Sequence, residues 1–329
     1  VPGVWSSVTW LLTGGAGYIG GHVLRALQAG GRQVVVLDDL STGLRERVSC
    51  VPLVEASLLE GEDVLAAAMA RHGVTGIVHL AAKKAVAESV ERPLYYFEQN
   101  VTGTVALLRA AVRAGVHNLL YSSSAAVYGA SEAGLLSEDH PTVPTSPYGE
   151  SKLAAEWLVR RTAEAHGMAW TALRYFNVAG AADAMLADRG VSNLLPIVLR
   201  NVELGRVTEV FGGDWPTRDG SCVRDYVHVE DLADAHRAAV DGLESGLLRA
   251  GVFNVGRGTG VSVLEMLAEV ERVVDRPVPH CVVGRRPGDP ASVVADVSRI
   301  ESDLGWKARF GVEDIVASAW DAWWSGAAG

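Results

Sequence analysis

The segment Thr13-Gly14-Gly15-Ala16-Gly17-Tyr18-Ile19-Gly20 restricts the possible folds of this chain more than any other, because of what flanks it. Residues 8–12 are a short apolar run that reads as a strand, and residues 20–29 carry a helical pattern. Between them, Gly14, Gly17 and Gly20 allow a tight turn, close approach of backbone to a pyrophosphate, and close packing of helix on strand. The helix N-terminus, with Tyr18 and Ile19, then turns N–H groups and a positive dipole end toward phosphates. The next apolar run, residues 34–37, ends at Asp38, with Asp39 following. An acid there can accept both ribose hydroxyls of NAD and repels the extra phosphate of NADP. NAD is therefore the expected cofactor.

The alternation continues. Residues 62–71, 94–114 and 148–166 read as helices, and residues 77–80, 119–122 and 171–173 as strands. Continuous apolar strands between amphipathic helices indicate an α/β fold, a Rossmann-type parallel sheet covered on both faces. The second half is less regular. Helical patterns cover residues 193–203, 231–244 and 263–274, with Ser262 placed to cap the last and Asp231 to cap the second. We expect an NAD-binding domain over residues 1–178, to which the chain returns around 225–258, and a smaller substrate-binding domain mainly over 179–329.

Composition narrows the function. The chain has 329 residues, 49% hydrophobic, enough to bury a large core. A net charge of -10 argues against a nucleic-acid partner held by a basic surface, while leaving room for a local arginine cluster on a diphosphate. Cys50, Cys222 and Cys281 stand far apart in no metal-ligand spacing, as expected of reduced thiols in a cytoplasmic protein without a metal. No stretch reaches the roughly 18–20 apolar residues of a membrane span. Residues 1–10 lack the basic start and apolar core of a signal peptide, and residues 1–7 have no evident role.

Tyr148-Gly149-Glu150-Ser151-Lys152 places a tyrosine and a lysine one helical turn apart, on one face. A phenol with a pKa near ~10 is a poor base at neutral pH. A neighbouring ammonium and a positive nicotinamide would both favour the phenolate. Ser124, at the end of Ser122-Ser123-Ser124, can hydrogen-bond the same substrate hydroxyl. Ser124, Tyr148 and Lys152 are the expected catalytic set.

These residues resemble the extended short-chain dehydrogenases, and among them the UDP-glucose/UDP-galactose 4-epimerases. The likeness extends through Lys84-Ala85-Val86-Ala87-Glu88-Ser89, Ser122 to Gly129, Arg174-Tyr175-Phe176-Asn177, Asn193-Leu194-Leu195-Pro196 and Val223-Arg224-Asp225-Tyr226-Val227-His228. It implies inversion of C4 of a UDP-hexose through a transient 4-keto sugar. It further implies cofactor contacts from Leu80, Ala81, Ala82, Lys84, Asn100, Ser122, Tyr148, Lys152 and Tyr175. Ser57, beside Leu58, stands where relatives usually place an aspartate for the adenine amino group, so a weaker hold on NAD is expected. Sugar-nucleotide contacts are implied for Lys84, Ser124, Tyr148, Asn177, Asn193, Leu194, Arg224, Arg286, Asp289 and Val293. Asn193 is open to a plain capping role. Ala125 and Ala126 occupy the positions where dehydratases carry an acidic pair, which disfavours elimination. A glucuronate, faced by Arg200, Arg206 or Arg218, or an N-acetylhexosamine given room by Val293, remains an alternative sugar. The resemblance also implies a homodimer built on the helices at 94–114 and 148–166.

Overall fold

The computed structural model describes residues 8–131, 134–286 and 288–325, so residues 1–7 lie outside the account that follows. The chain divides into two compact units. Unit 1 comprises Val1–Val127, Ser146–Arg174 and Ala233–Phe253; unit 2 comprises Tyr128–Thr145, Tyr175–Leu232 and Asn254–Gly329.

Unit 1 begins with β1 (Thr9–Thr13), α1 (Tyr18–Ala29), β2 (Gln33–Asp38), β3 (Leu53–Glu55), α2 (Glu62–His72) and β4 (Val74–His79). Then come α3 (Val86–Glu91), α4 (Pro93–Phe97), α5 (Gly103–Ala114), β5 (Asn118–Ser124), α6 (Pro147–His166) and β6 (Ala169–Tyr175). With the later strand Ala250–Val255 they form a seven-stranded sheet in the order Ala250–Val255, β6, β5, β4, β1, β2, β3. The pairs β1–β2, β1–β4, β2–β3 and β4–β5 are parallel. β1 lies inside this order between β4 and β2, and all five of its residues are buried, which is why Trp10, Leu11 and Leu12 at its centre are apolar. Trp10 fits there because Gly76 faces it: a Cβ at Gly76 would stand 2.8 Å from the indole. The core gathers Leu11, Val35, Leu65, Ile77, Leu107 and Val159. Each such side chain contributes about 1.5–3 kcal/mol by leaving water.

The single helix expected over 94–114 is interrupted. A π-helical turn, Glu98–Thr102, separates α4 from α5. The extra residue in that turn has a visible purpose, since it swings Asn100 into the interior. Its amide accepts from Lys83 N (2.8 Å) and donates to Lys83 O and Ser151 Oγ (3.0 Å each). Thr104 Oγ1 donates to Asn100 O at 2.6 Å and fills the widened turn.

In unit 2, β7 (Asn177–Ala179), α7 (Leu194–Leu204), β8 (Thr208–Phe211) and β9 (Val223–His228) precede α8 (Val229–Ser245), which runs on into unit 1. After β10 (Ala250–Val255) follow β11 (Gly260–Ser262), α9 (Val263–Val274), β12 (His280–Val283), β13 (Ser292–Val293), α10 (Ser298–Leu304) and α11 (Val312–Ser325). β9 pairs with β7, β11 and β13, and β8 pairs with β12. Leu195, Val198, Tyr226, Met266, Val270 and Ile315 form the core. Ser262 caps α9 in a full capping box with Glu265, as its spacing implies. Asp231 does not cap α8. Its buried carboxylate accepts from the backbone of Arg309 and Phe310 at 2.9 and 3.0 Å, because that segment has no secondary structure to satisfy its amides.

Candidate active site

In unit 1 the glycine loop leaves β1 with Gly14 at a φ of +72°, in the left-handed region. A Cβ on Gly20 would fall 2.1 Å from Gly14 O, so the helix can approach the turn only without a side chain there. Gly17 is the N-cap residue of α1, so no side chain caps the helix, and its first turn holds no acid. That end suits a phosphate. Beside it, Asp38 is buried and accepts from Ala16 N and Leu40 N, both at 2.9 Å. Burial pushes its carboxyl up, against the pull of those two amides. A carboxylate has about four acceptor sites, so room remains for ribose hydroxyls. These features fit NAD.

Asp39 is turned to Ser41, accepting from its N and Oγ at 2.9 and 2.6 Å. Burial pushes Asp39 up, but the Ser41 bonds and the Lys83 charge together leave it below the usual range. Lys83 Nζ donates to Ser41 Oγ at 3.0 Å, and exposed Lys84 stands 6.0 Å from the Tyr18 ring centre. Leu80 N and Ala81 N are tied to Thr13 O and Oγ1 at 3.1 and 3.2 Å, with Ala82 next in the same loop. Ser57 caps a short 3-10 turn, Leu58–Glu60, accepting from Leu59 N at 3.2 Å. Its hydroxyl is thus engaged locally.

The catalytic candidates converge on the end of β5. The Ser124 hydroxyl favours the ionised form of the Tyr148 phenol, and Lys152 Nζ donates to Ser122 O at 2.8 Å. Lys152 is buried, which lowers its pKa to about 7, and it lies 5.2 Å from the centre of the Tyr121 ring. Burial raises the Tyr148 phenol, and the Ser124 hydroxyl works against that rise.

In unit 2, Arg224 and Asp289 meet, Nη2 to Oδ1 3.6 Å, and Arg224 Nη1 also donates to Pro290 O at 3.0 Å. Val293 pairs in register with Arg224. The Arg286 guanidinium lies 3.6 Å from the Phe211 ring centre. Asn193 is the N-cap residue of α7, before Leu194, yet its side chain makes no capping bond and donates to Asp188 at 3.2 Å. Tyr175 ends β6, and Asn177 is exposed at the start of β7. Arg218 is committed to Glu265 and to Gly260 O, so it is not set aside for a C6 carboxylate. Sequence reasoning missed Phe211, which carries no spacing signal. It also missed Glu156, whose signal was present: it continues the four-residue spacing of Tyr148 and Lys152.

A family model described as "NAD dependent epimerase/dehydratase family" matches residues 10–256. The chain belongs to that family. Members similar to it include the UDP-glucose 4-epimerase of Azospirillum brasilense, 45% identical over 94% of this chain and 90% of that one. The enzyme of the same name from Corynebacterium glutamicum is 42% identical over 94% of each. Among solved members, the Stenotrophomonas maltophila UDP-glucose-4-epimerase, with bound NAD and formylated UDP-arabinopyranose, superposes with a TM-score of 0.93 at 37% identity. That match covers 98% of this chain and 100% of the other. Among the described residues, no group of His, Cys, Asp and Glu could hold a metal, and no helix is long and apolar enough to cross a membrane.

Proposed function

We propose that this protein is an NAD-dependent UDP-glucose 4-epimerase, interconverting UDP-glucose and UDP-galactose by inversion at C4. The observation that carries the reading is the convergence on β5, with Ser124 acting on the Tyr148 phenol and Lys152 on the Ser122 carbonyl, and Ala125 and Ala126 next in line. Bound NAD supplies the reversible oxidation at C4. Tyr148 takes the C4 hydroxyl proton as the 4-keto sugar forms, Ser124 holds the same oxygen, and Lys152 fixes the tyrosine's surroundings. After the sugar turns over, Tyr148 returns the proton. The alanines cannot move a proton from C5, so the keto sugar is not dehydrated.

In unit 2, Arg224 and Arg286 serve the diphosphate, Asp289 a ribose, and Asn177, Asn193 and Leu194 the sugar nucleotide. Val293, held beside Arg224, leaves room for a 2-acetamido group, which extends the substrate class to N-acetylhexosamines. Exposed Leu94 and Trp157 supply apolar contact area for a homodimer on the helices of unit 1. Free Cys50, Cys222 and Cys281 support a cytoplasmic setting.

The test is NMR of purified protein with NAD and each of UDP-glucose, UDP-galactose, UDP-glucuronate and the N-acetyl sugars. The C4 epimer should appear without net NADH. Untouched UDP-sugars beside intact NAD binding would remove the UDP-hexose assignment.

A further inference from the structure

Glu156 sits two helical turns beyond Tyr148 on α6, buried, and it takes no part in the chemistry described above. Both of its carboxylate oxygens are used inside unit 1. Oε2 accepts from Ser123 Oγ at 2.7 Å and from Arg174 Nε at 3.1 Å, and Oε1 accepts from Arg174 Nη2 at 2.5 Å. Arg174, on β6, is buried as well. α6 therefore holds β5 at two consecutive residues, Lys152 on the Ser122 carbonyl and Glu156 on the Ser123 hydroxyl, next to Ser124, whose hydroxyl influences Tyr148.

The bond to Ser123 fixes α6 along β5 at a point separate from the reacting pair. Paired Arg174 on β6 braces it from the neighbouring strand. We propose that Glu156, braced by Arg174 and bound to Ser123, is a positioning residue that sets the register of α6 on β5, and through it the Ser124–Tyr148 contact on which proton transfer depends. This rests on the epimerase function proposed above.

The physical consequence is specific. Ser124 is the group that favours the Tyr148 phenolate, and burial opposes it. The other groups facing Tyr148 are Lys152 on its own helix and Tyr96 of α4, edge-on at 6.5 Å, with Glu88 of α3 bonded to the Tyr96 hydroxyl at 2.9 Å. Tyr96 and Glu88 lie on other helices, and no hydrogen bond joins them to Glu156 among the described residues, so loosening the clamp shifts α6, with Tyr148 and Lys152 on it, while they stay in place.

The experiment uses the NAD-loaded enzyme with Glu156→Gln and, since an unpaired Arg174 could prevent folding, Ser123→Ala as a milder second variant. Two readouts are taken: kcat and KM for UDP-galactose across pH, and the Tyr148 titration as tyrosinate absorbance relative to Tyr148→Phe. Glu156→Gln should lower kcat at neutral pH about 10²-fold, the scale of a misplacement near 1 Å, with KM changed less than about threefold. In both variants Tyr148 should ionise at higher pH than in wild type, and kcat should recover as pH rises. An unmoved Tyr148 titration in folded Glu156→Gln, or in Ser123→Ala if the first does not fold, overturns the proposal. If wild type turns over no UDP-sugar, the functional reading fails, and the tyrosinate titration still decides the clamp.

Discussion

Tyr148 stands between opposed influences: loss of water raises its proton affinity and the Ser124 bond lowers it. Replacing Tyr148 with Phe should cost about 10²- to 10⁴-fold in kcat while NAD and UDP-sugar binding persist; near-normal turnover would remove it as the base. Gly20 makes the opposite kind of case, because its role is to be absent. A Cβ there meets backbone at 2.1 Å and backbone cannot step aside, so Gly20→Ala should lose NAD binding and more than ~2 kcal/mol of stability, read by cofactor fluorescence and urea melts. Both residues were legible in the sequence because spacing alone encodes them. Arg174 and Phe211 were not. A buried ion pair joins residues on different elements, and an aromatic beneath an arginine leaves no periodic trace.

At the scale of elements, the helix and strand cores followed from apolar period, and the differences lie where a side chain overrides it. The pattern over 94–114 is a helix by every local measure. The π turn exists because Asn100 bonds Lys83 and Ser151, partners 17 and 51 residues away that no local window contains. α9 is the reverse: Ser262 and Glu265 state its start within four residues, and the capping box is there. Ser262→Ala should lower stability by about 1 kcal/mol in urea unfolding with the slope unchanged; a loss below a few tenths would mean that the helix end is held by packing instead.

For the molecule as a whole, acid sensitivity should trace to a buried imidazole. His79 is hydrogen-bonded by Thr13 and Thr104 at 2.7 and 3.0 Å, and burial, helped by the Lys152 charge, lowers its pKa from 6.5 to about 3. Between those values the unfolded chain binds a proton that the folded one does not. Stability should therefore fall as pH drops from about 6.5 toward 3. Asp38 and Asp225, both raised by burial, work in the other direction, so the contribution is isolated by comparing urea midpoints of wild type and His79→Asn from pH 7 to 4.5. Equal slopes would clear His79.

Trp10, in β1, donates through its indole nitrogen to Glu244 at 2.7 Å, and Arg32 joins the same carboxylate at 3.1 Å. Three separated lengths of chain build unit 1, the last ending at Phe253. On the ribosome, the first strand made would thus be among the last to be locked, waiting through the synthesis of roughly 230 further residues, a delay of some ten to fifty seconds at ~5–20 residues per second. Over that interval the nascent sheet has an open edge beside β6, a natural client surface for a chaperone.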